Sequence, residues 1–180
     1  MSNDSFDLRR LTRIALIVAV IILLGLFPPI TLGIIPVPIV LQNLGILLAG
    51  LLLGKKDGVF AVLLFYLLVA FGLPLLAGGR GGIAVFGQMT AGFLLGYLIA
   101  AFVIGFVVEK LPLNNQLIAA LIATLIGVLI IDVLGGIYLG VYLKQSVIKA
   151  LISATVYLPG DILKAIVASI VYRSMPQSLR

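Results

Sequence analysis

Long apolar runs separated by short polar turns make up the chain. The runs last about 16–25 residues without alternating apolar and polar positions, so they are typical of helices and not of strands. Because a spanning helix needs about 20 apolar residues, the pattern predicts an all-α membrane protein with six transmembrane helices. We place them in a single domain, residues 1–180, at about 11–28, 38–54, 58–74, 88–108, 115–140 and 147–173.

The polar segments between these runs predict the connections. Residues 1–10 are expected to form a flexible N-terminus. Proline lacks an N–H and blocks a continuing helix, so the proline-rich segment 28–37 is expected to be an extended loop at the membrane surface. Gly-Lys-Lys-Asp-Gly at 54–58 predicts a tight turn. Gly-Gly-Arg-Gly-Gly at 78–82 predicts a flexible loop that allows close backbone approach.

The composition excludes most other classes of protein. Only 10% of the residues are charged, against about 25% in a soluble domain. The absence of His and Cys removes thiol nucleophiles, imidazole bases and the usual zinc sites, so we expect no enzyme, no metal and no cofactor. The net charge of +6 does not indicate nucleic-acid binding, because the basic residues lie at the ends of apolar runs and not in an aromatic-rich patch.

The placement of Lys and Arg predicts the orientation in the bilayer. With the N-terminus inside, basic residues concentrate at the cytoplasmic ends of the helices, as the positive-inside rule requires. The cytoplasmic group is Arg9, Arg10, Arg13, Lys55, Lys56, Lys110, Arg173 and Arg180, and the outer group is Arg80, Lys144 and Lys149. Both termini are therefore expected in the cytoplasm.

Three charged residues fall inside predicted helices, where a charge costs about 2.5–3.5 kcal/mol on insertion scales. Asp161 and Lys164 share one helix face and follow directly after Tyr157 and a Pro-Gly helix break. This combination suits a polar ligand site within the membrane, and a salt bridge that sets the helix register is the alternative. Asp132 either joins such a site or bridges neighbouring helices.

Further polar candidates lie near the predicted outer surface. Gln42 and Asn43 offer both donors and acceptors to a neutral polar ring, or they form hydrogen bonds between helices. Arg80, alone among four glycines, is suited to a carboxylate, or it is a solvated residue of a flexible turn. Two small-residue pairs, Ala15/Ala19 and Gly92/Gly96, allow helices to approach closely.

A subunit that binds or transports a small molecule is the function these residues favour. The polar residues within or near the predicted helices lie towards the outer side of the membrane. The surrounding apolar residues suit a pocket for a ligand with a polar head and an apolar body. An ion channel, a proton-coupled carrier that uses Asp132 or Asp161, and an intramembrane enzyme are the rivals. The enzyme is the weakest of them, because no His is present to activate a serine.

Several motifs resemble the BioY family, the biotin-binding S-components of energy-coupling factor (ECF) transporters. The two most specific are Ile-Pro-Val-Pro-Ile-Val-Leu-Gln-Asn at 35–43 and Leu-Pro-Gly-Asp-Ile-Leu-Lys-Ala at 158–165. Between them lie Gly45, Ala49-Gly50, Leu53-Gly54, Gly72-Leu73-Pro74, the loop 78–82 and Asp132-Val133-Leu134-Gly135-Gly136. The resemblance covers about 35–165 in order.

The resemblance implies a six-helix S-component fold in the plasma membrane of a prokaryote. Asp161 and Lys164 match the family's charged pair and would hold the ureido ring of biotin. Gln42, Asn43 and Arg80 would add contacts from the outer loops, which would close as a lid, and Tyr157 would pack against the bicyclic ring.

The partners that the resemblance implies are a transmembrane coupling protein and two ATPase subunits. Ala15 and Ala19 match the small-residue face that S-components present to the coupling protein. ATP-driven uptake would come from these partners, because the sequence contains no nucleotide-binding loop.

One segment departs from the family pattern. The family has Gly-Pro-Thr/Ser-Gly-Gly-Tyr at the start of the fourth helix, where this chain reads Gly-Gln-Met-Thr-Ala-Gly-Phe at 87–93. The departure keeps open an S-component for another vitamin, and the carboxyls of Asp132 and Asp161 inside predicted helices keep open a proton-coupled small-molecule carrier.

Overall fold

The fold is described from a computed structural model for residues 8–31, 33, 36–111 and 115–176. In these residues the regular structure is helical, apart from two isolated antiparallel bridges, in agreement with the all-α prediction. The α-helices are α1 (Leu8–Gly25), α2 (Gln42–Ala70), α3 (Ala91–Lys110), α4 (Gln116–Tyr142), α5 (Val147–Ala154) and α6 (Leu158–Ser174). Two 3-10 turns, Ile83–Gly87 and Thr155–Tyr157, precede α3 and α6.

The N-terminal end of α1 differs from the prediction. The helix begins at Leu8 and includes Arg9 and Arg10, which were expected in the flexible terminus, and it ends at Gly25 instead of residue 28. Residues 1–7 of that terminus, together with Ile35 and Arg180, lie outside the described part of the chain.

Helices α1 to α5 pack in chain order, and α6 returns to contact both α4 and α2. Small residues bring α3 and α4 together: a Cβ at Gly96 would lie 2.8 Å from the Cα of Ile131, and one at Gly92 would lie 2.2 Å from the Cβ of Tyr138. The close approach expected of the pair Gly92/Gly96 is therefore confirmed for these two helices.

The outside of the bundle is apolar, as expected for a surface that faces lipid. Large hydrophobic side chains such as Leu129, Leu163 and Phe102 are 53%, 62% and 47% exposed. Within the described residues, three helical stretches are long and apolar enough to cross a membrane: Ala91–Lys110, Gln116–Tyr142 and Val147–Ser174. The molecule is a membrane protein by its surface as well as by its composition.

The expected tight turn at 54–58 is a kink at a single residue. Instead of two helices, 38–54 and 58–74, one element runs from Gln42 to Ala70, and Gly54 interrupts it with φ 73° and ψ −177°. Essentially only glycine adopts this conformation. A Cβ at Gly58 would lie 2.8 Å from the carbonyl oxygen of Ala49, so the two arms of α2 pack together at the kink. One glycine is thus sufficient to redirect the chain.

The proline-rich connection folds back on itself instead of remaining extended. Ile30 and Ile39 form an antiparallel bridge with two backbone hydrogen bonds of 2.9 Å. The second helix starts at Gln42, four residues later than predicted, because Ile39 is held in the bridge to Ile30. Residues 36–41 are left as irregular backbone, in which the carbonyl groups of Val37 and Val40 accept from side chains of other elements.

The last predicted helix, 147–173, is broken near its middle. Helix α5 ends at Ala154, the turn Thr155–Tyr157 tightens to 3-10 geometry, and α6 restarts at Leu158 with Pro159 in its first turn. Proline is tolerated there because the first N–H groups of a helix have no intrahelical acceptor. The break places Tyr157, Asp161 and Lys164 at the start of a new helix.

Candidate ligand-binding site

A cavity lies where α3, α4 and α6 meet the two irregular segments 36–41 and 71–90. All seven predicted ligand residues line it, namely Gln42, Asn43, Arg80, Asp132, Tyr157, Asp161 and Lys164. The remaining walls are largely apolar and include Val37, Ile39, Leu76, Phe93 and Ile131. Apolar walls with a few converging polar groups are typical of a small-molecule site.

Lys164 is the centre of a buried polar network. Its Nζ donates to the Val40 carbonyl oxygen and to Asn43 Oδ1, both at 2.9 Å, and forms an ion pair with Asp161 Oδ1. Asn43 Nδ2 donates to the same Asp161 oxygen at 2.8 Å. Asp161 and Lys164 are only 3% and 6% exposed, so the network is buried. The three ammonium protons are all engaged, which ties α6 to the start of α2.

Tyr157 joins the cavity wall to the proline-rich segment. Its hydroxyl donates to the Val37 carbonyl oxygen at 2.7 Å, and its ring meets the Phe93 ring edge-on at a centroid distance of 5.8 Å. Since the phenol is anchored, the two rings form a rigid apolar surface suited to a flat ligand.

Gln42 is engaged by the protein's own backbone. Its Nε2 donates to the carbonyl oxygens of Leu75 at 2.8 Å and Ile21 at 3.3 Å, and its Oε1 accepts from the Ala77 N–H at 3.1 Å. The side chain is 1% exposed. These contacts attach α2 to α1 and to the segment 71–90, so the hydrogen bond between elements that the sequence left as an alternative is present.

Arg80 reaches the cavity from the glycine loop. Its Nε donates to the Ala77 carbonyl oxygen and its guanidinium donates to Thr90 Oγ1, each at 3.3 Å. Among the described residues no carboxylate forms an ion pair with this guanidinium. The half-buried cation therefore retains donors for an anionic group.

Asp132 lines the same cavity from α4. It is 6% exposed, and its Oδ2 has no hydrogen-bond partner in the described part of the chain. Buried polar atoms without a partner are rare and costly. This oxygen can therefore accept a hydrogen bond from a group that enters the cavity.

Four residues on or before α3 line the cavity but were not among the ligand residues predicted from the sequence. Thr90, Phe93, Leu94 and Tyr97 line the site. Thr90, Phe93 and Tyr97 are spaced by three and four positions, so they share one face at the start of α3. Two of them, Thr90 and Tyr97, carry hydroxyl groups. This spacing was the available signal, but Tyr97 stands in an apolar run in which an aromatic residue is commonplace.

Ala15 and Ala19 lie outside the cavity. Both are exposed on α1, whereas Ile14, Ile17 and Ile21 of that helix are buried against α2. The two alanines therefore form a small-residue strip on the free face of α1.

Similar proteins decide the family. A family model described as "BioY family" matches residues 1–180. The chain belongs to the BioY family. The biotin transporter BioY of Rhizobium etli is 43% identical over 173 residues, which cover 93% of this chain and 92% of that protein. The biotin transporter BioY of Rhodobacter capsulatus is 46% identical over 179 residues, covering 94% of each.

A solved structure agrees with this assignment. The crystal structure of the S-component for biotin from an ECF-type ABC transporter is similar with a TM-score of 0.88. It is 40% identical in sequence, and the match covers 96% of this chain and 93% of that one. The BioY chain described here therefore has the S-component fold expected from its motifs.

Proposed function

We propose that this BioY protein is an integral membrane subunit that captures biotin from outside the cell for ATP-driven uptake. The observation that carries the proposal is the buried Asn43–Asp161–Lys164 network in a mostly apolar cavity, beside Asp132, whose Oδ2 has no partner among the described residues. A cyclic urea has two N–H donors and one carbonyl acceptor, which such a group of donors and acceptors can recognise. Two relatives that match nearly the whole chain are named as biotin transporters.

The binding mode follows from where the polar groups lie. The ureido ring sits near Asp161, Lys164 and Asp132, and the bicyclic body packs on the Tyr157 ring. The valerate carboxylate reaches Arg80, whose cation no described carboxylate neutralises. Gln42 acts mainly by holding the segment 71–90 in place, because its donors and acceptor are engaged by backbone groups. Asn43 acts together with Lys164.

Titration with biotin tests the proposal. We expect purified protein in detergent to bind biotin with a Kd below about 1 μM, and Lys164→Ala to weaken binding by about 2–5 kcal/mol, since it leaves Asp161 buried and unpaired. Lys149→Ala is the matched control, because Lys149 is an exposed lysine and lies outside the cavity lining. Wild-type binding weaker than micromolar would refute the function. Competition by riboflavin, thiamine or folate would instead favour the alternative of another vitamin.

Six membrane crossings with both termini in the cytoplasm make up the proposed topology. The two arms of α2, separated at Gly54, and α1 add crossings to the three long apolar stretches. Because the chain contains no cysteine, single cysteines report sidedness cleanly. In cells of the prokaryotic host, Lys144→Cys should react with an impermeant maleimide from outside, whereas Lys56→Cys should react only after the membrane is opened. The reverse pattern would overturn the orientation.

The proposed partners are a transmembrane coupling protein and two ATPase subunits. The exposed strip of Ala15 and Ala19 would let a partner helix approach α1 closely. Replacing Ala19 by Trp should abolish co-purification of the coupling protein and leave biotin affinity unchanged. Leu129→Trp, on an exposed part of α4, is the control. Biotin uptake by vesicles without ATPases that collapses with an uncoupler would favour the proton-coupled carrier instead.

A further inference from the structure

The charges in the cavity leave one carboxyl without compensation. The Nζ of Lys164 donates hydrogen bonds to Asn43 and to the Val40 carbonyl oxygen and forms an ion pair with Asp161. Its positive charge therefore compensates the charge of Asp161. Arg80 donates to the Ala77 carbonyl oxygen and to Thr90 Oγ1. In the part of the chain that the structure describes, no cation forms an ion pair with Asp132.

The groups around Asp132 come from several elements. On α6, Asp161 and Lys164 act on it electrostatically, and Asp132 in turn acts on Tyr97 of α3 and on Tyr157 of the preceding 3-10 turn. Arg80 lines the same cavity from its loop. One of the groups that act on Asp132 is thus a second carboxylate, Asp161, whose own cation is already engaged. Two carboxylates sharing a buried site do not both ionise, because repulsion and lost hydration oppose the second charge.

We propose that Asp132 is a neutral carboxylic acid that donates its proton towards Asp161 and keeps Oδ2 as an acceptor for a ligand N–H. The inference rests on the proposed function for the identity of the ligand, but not for the proton. It assigns different roles to the two aspartates. Asp161 is the anion that Lys164 and Asn43 hold, and Asp132 is an uncharged specificity-determining group that reads the cyclic urea.

Asparagine is the variant that separates these roles. Asn at position 132 reproduces both groups of a neutral acid, since its Nδ2 can donate to Asp161 while its Oδ1 accepts from the ligand. Asn at position 161 instead removes the anion that Lys164 neutralises. We therefore expect Asp132→Asn to keep biotin affinity within about threefold, and Asp161→Asn and Asp132→Ala each to weaken it at least tenfold. Equal losses in Asp132→Asn and Asp132→Ala would overturn the proposal.

The pH dependence has a defined sign. If the ligand requires the protonated form of Asp132, the Kd is constant at low pH and rises by up to tenfold per pH unit once the empty pocket loses that proton. Calorimetric titrations between about pH 6 and pH 9.5 avoid the titration of an ordinary carboxyl such as that of biotin. Asp132→Asn should remove the rise that wild type shows. A rise that Asp132→Asn shows as strongly as wild type would contradict the proposal.

Infrared spectroscopy tests the proton without any ligand. A protonated carboxyl has a C=O stretching band that a carboxylate lacks, so wild type at neutral pH should show one that is lost in Asp132→Asn. If wild type shows the band but does not bind biotin, the proposed function fails and the assignment of the proton stands. If biotin binds and the Asp132 band is absent, the function stands and the proton assignment fails.

Discussion

At the scale of single residues, the site depends on a charge pair that the protein has largely neutralised for itself. Lys164 satisfies Asp161, Asn43 and a free backbone carbonyl at once. Buried pairs of this kind contribute little net stability over well-packed apolar residues, but removing one partner is strongly destabilising. The pair therefore has a stronger effect on specificity and register than on stability.

Substitutions at Asp161 and Lys164 can separate the effect of the pair on stability from its effect on binding. Lys164→Met should lower the free energy of unfolding by about 3–5 kcal/mol, because it leaves the Asp161 carboxylate uncompensated. The double variant Asp161→Leu/Lys164→Met should recover most of that loss and still fail to bind biotin. Thermal unfolding in detergent and biotin titration measure the two effects. A double variant no more stable than the single one would show that the pair itself stabilises the fold.

At the scale of elements, the site is made where regular structure stops. The proline-rich segment 36–41 supplies the Val37 and Val40 carbonyls, and the 3-10 turn before α6 supplies Tyr157. Irregular backbone at membrane depth is tolerated when it lines a cavity. Side chains of the 3-10 turn and of α6 thus satisfy two carbonyl groups of the proline-rich segment.

The kink in α2 depends on the backbone conformation of a single glycine. Gly54 has φ 73°, and a Cβ there would lie 2.7 Å from Glu109 Oε1, which accepts from the Lys55 N–H. Gly54→Ala should destabilise the protein by about 1–3 kcal/mol. Biotin affinity should be unchanged, because the kink lies about 18 Å along the helix from Gln42.

A glycine without this constraint provides the control for that prediction. Gly87 has neither a positive φ nor any atom within 4 Å of an added Cβ. Gly87→Ala should therefore unfold at nearly the wild-type temperature. If thermal unfolding in detergent gives the same midpoint for both alanine variants, the backbone at Gly54 is not under the constraint described.

At the scale of the whole molecule, the binding end is held together by contacts between segments far apart in the chain. Gln42 joins α1, α2 and residues 75–77, and Tyr157 and Lys164 attach residues 37–40 to the last helix. A ligand in the cavity would touch all of these segments together. Binding should therefore rigidify this end of the bundle as a unit.

Amide hydrogen exchange measures whether biotin rigidifies the binding end of the bundle. Saturating biotin should slow amide exchange in 36–41 and in 76–90, and should leave residues 55–58 unchanged at the kink. Stability should rise by about 4 kcal/mol at a thousandfold excess over Kd, which a thermal shift in detergent also reports. Biotin should give no such protection in the Lys164→Ala variant. Uniform protection of every segment would indicate a global effect instead of closure around the ligand.

Much of the site was predictable because charges and prolines are so rare in this chain. Asp132, Asp161 and Lys164 stood out in apolar runs, and the motifs at 132–136 and 158–165 that contain them resemble one family. Tyr97 and Phe93 could not be recognised in the same way, since aromatic residues in a spanning helix are mostly there to pack. Helix ends were also displaced by several residues, because capping and kinks depend on tertiary contacts.

The sequence by itself determined the all-α membrane class, the family and the group of polar residues that would converge. Hydrophobic length and the cost of buried charge act locally, so they are visible in one dimension. Only the tertiary structure decided that Gln42 is engaged by backbone groups, that Lys164 has no spare proton and that Asp132 Oδ2 has no partner among the described residues. Hydrogen-bond saturation depends on atoms brought together from distant segments, and that is known only once the helices are packed.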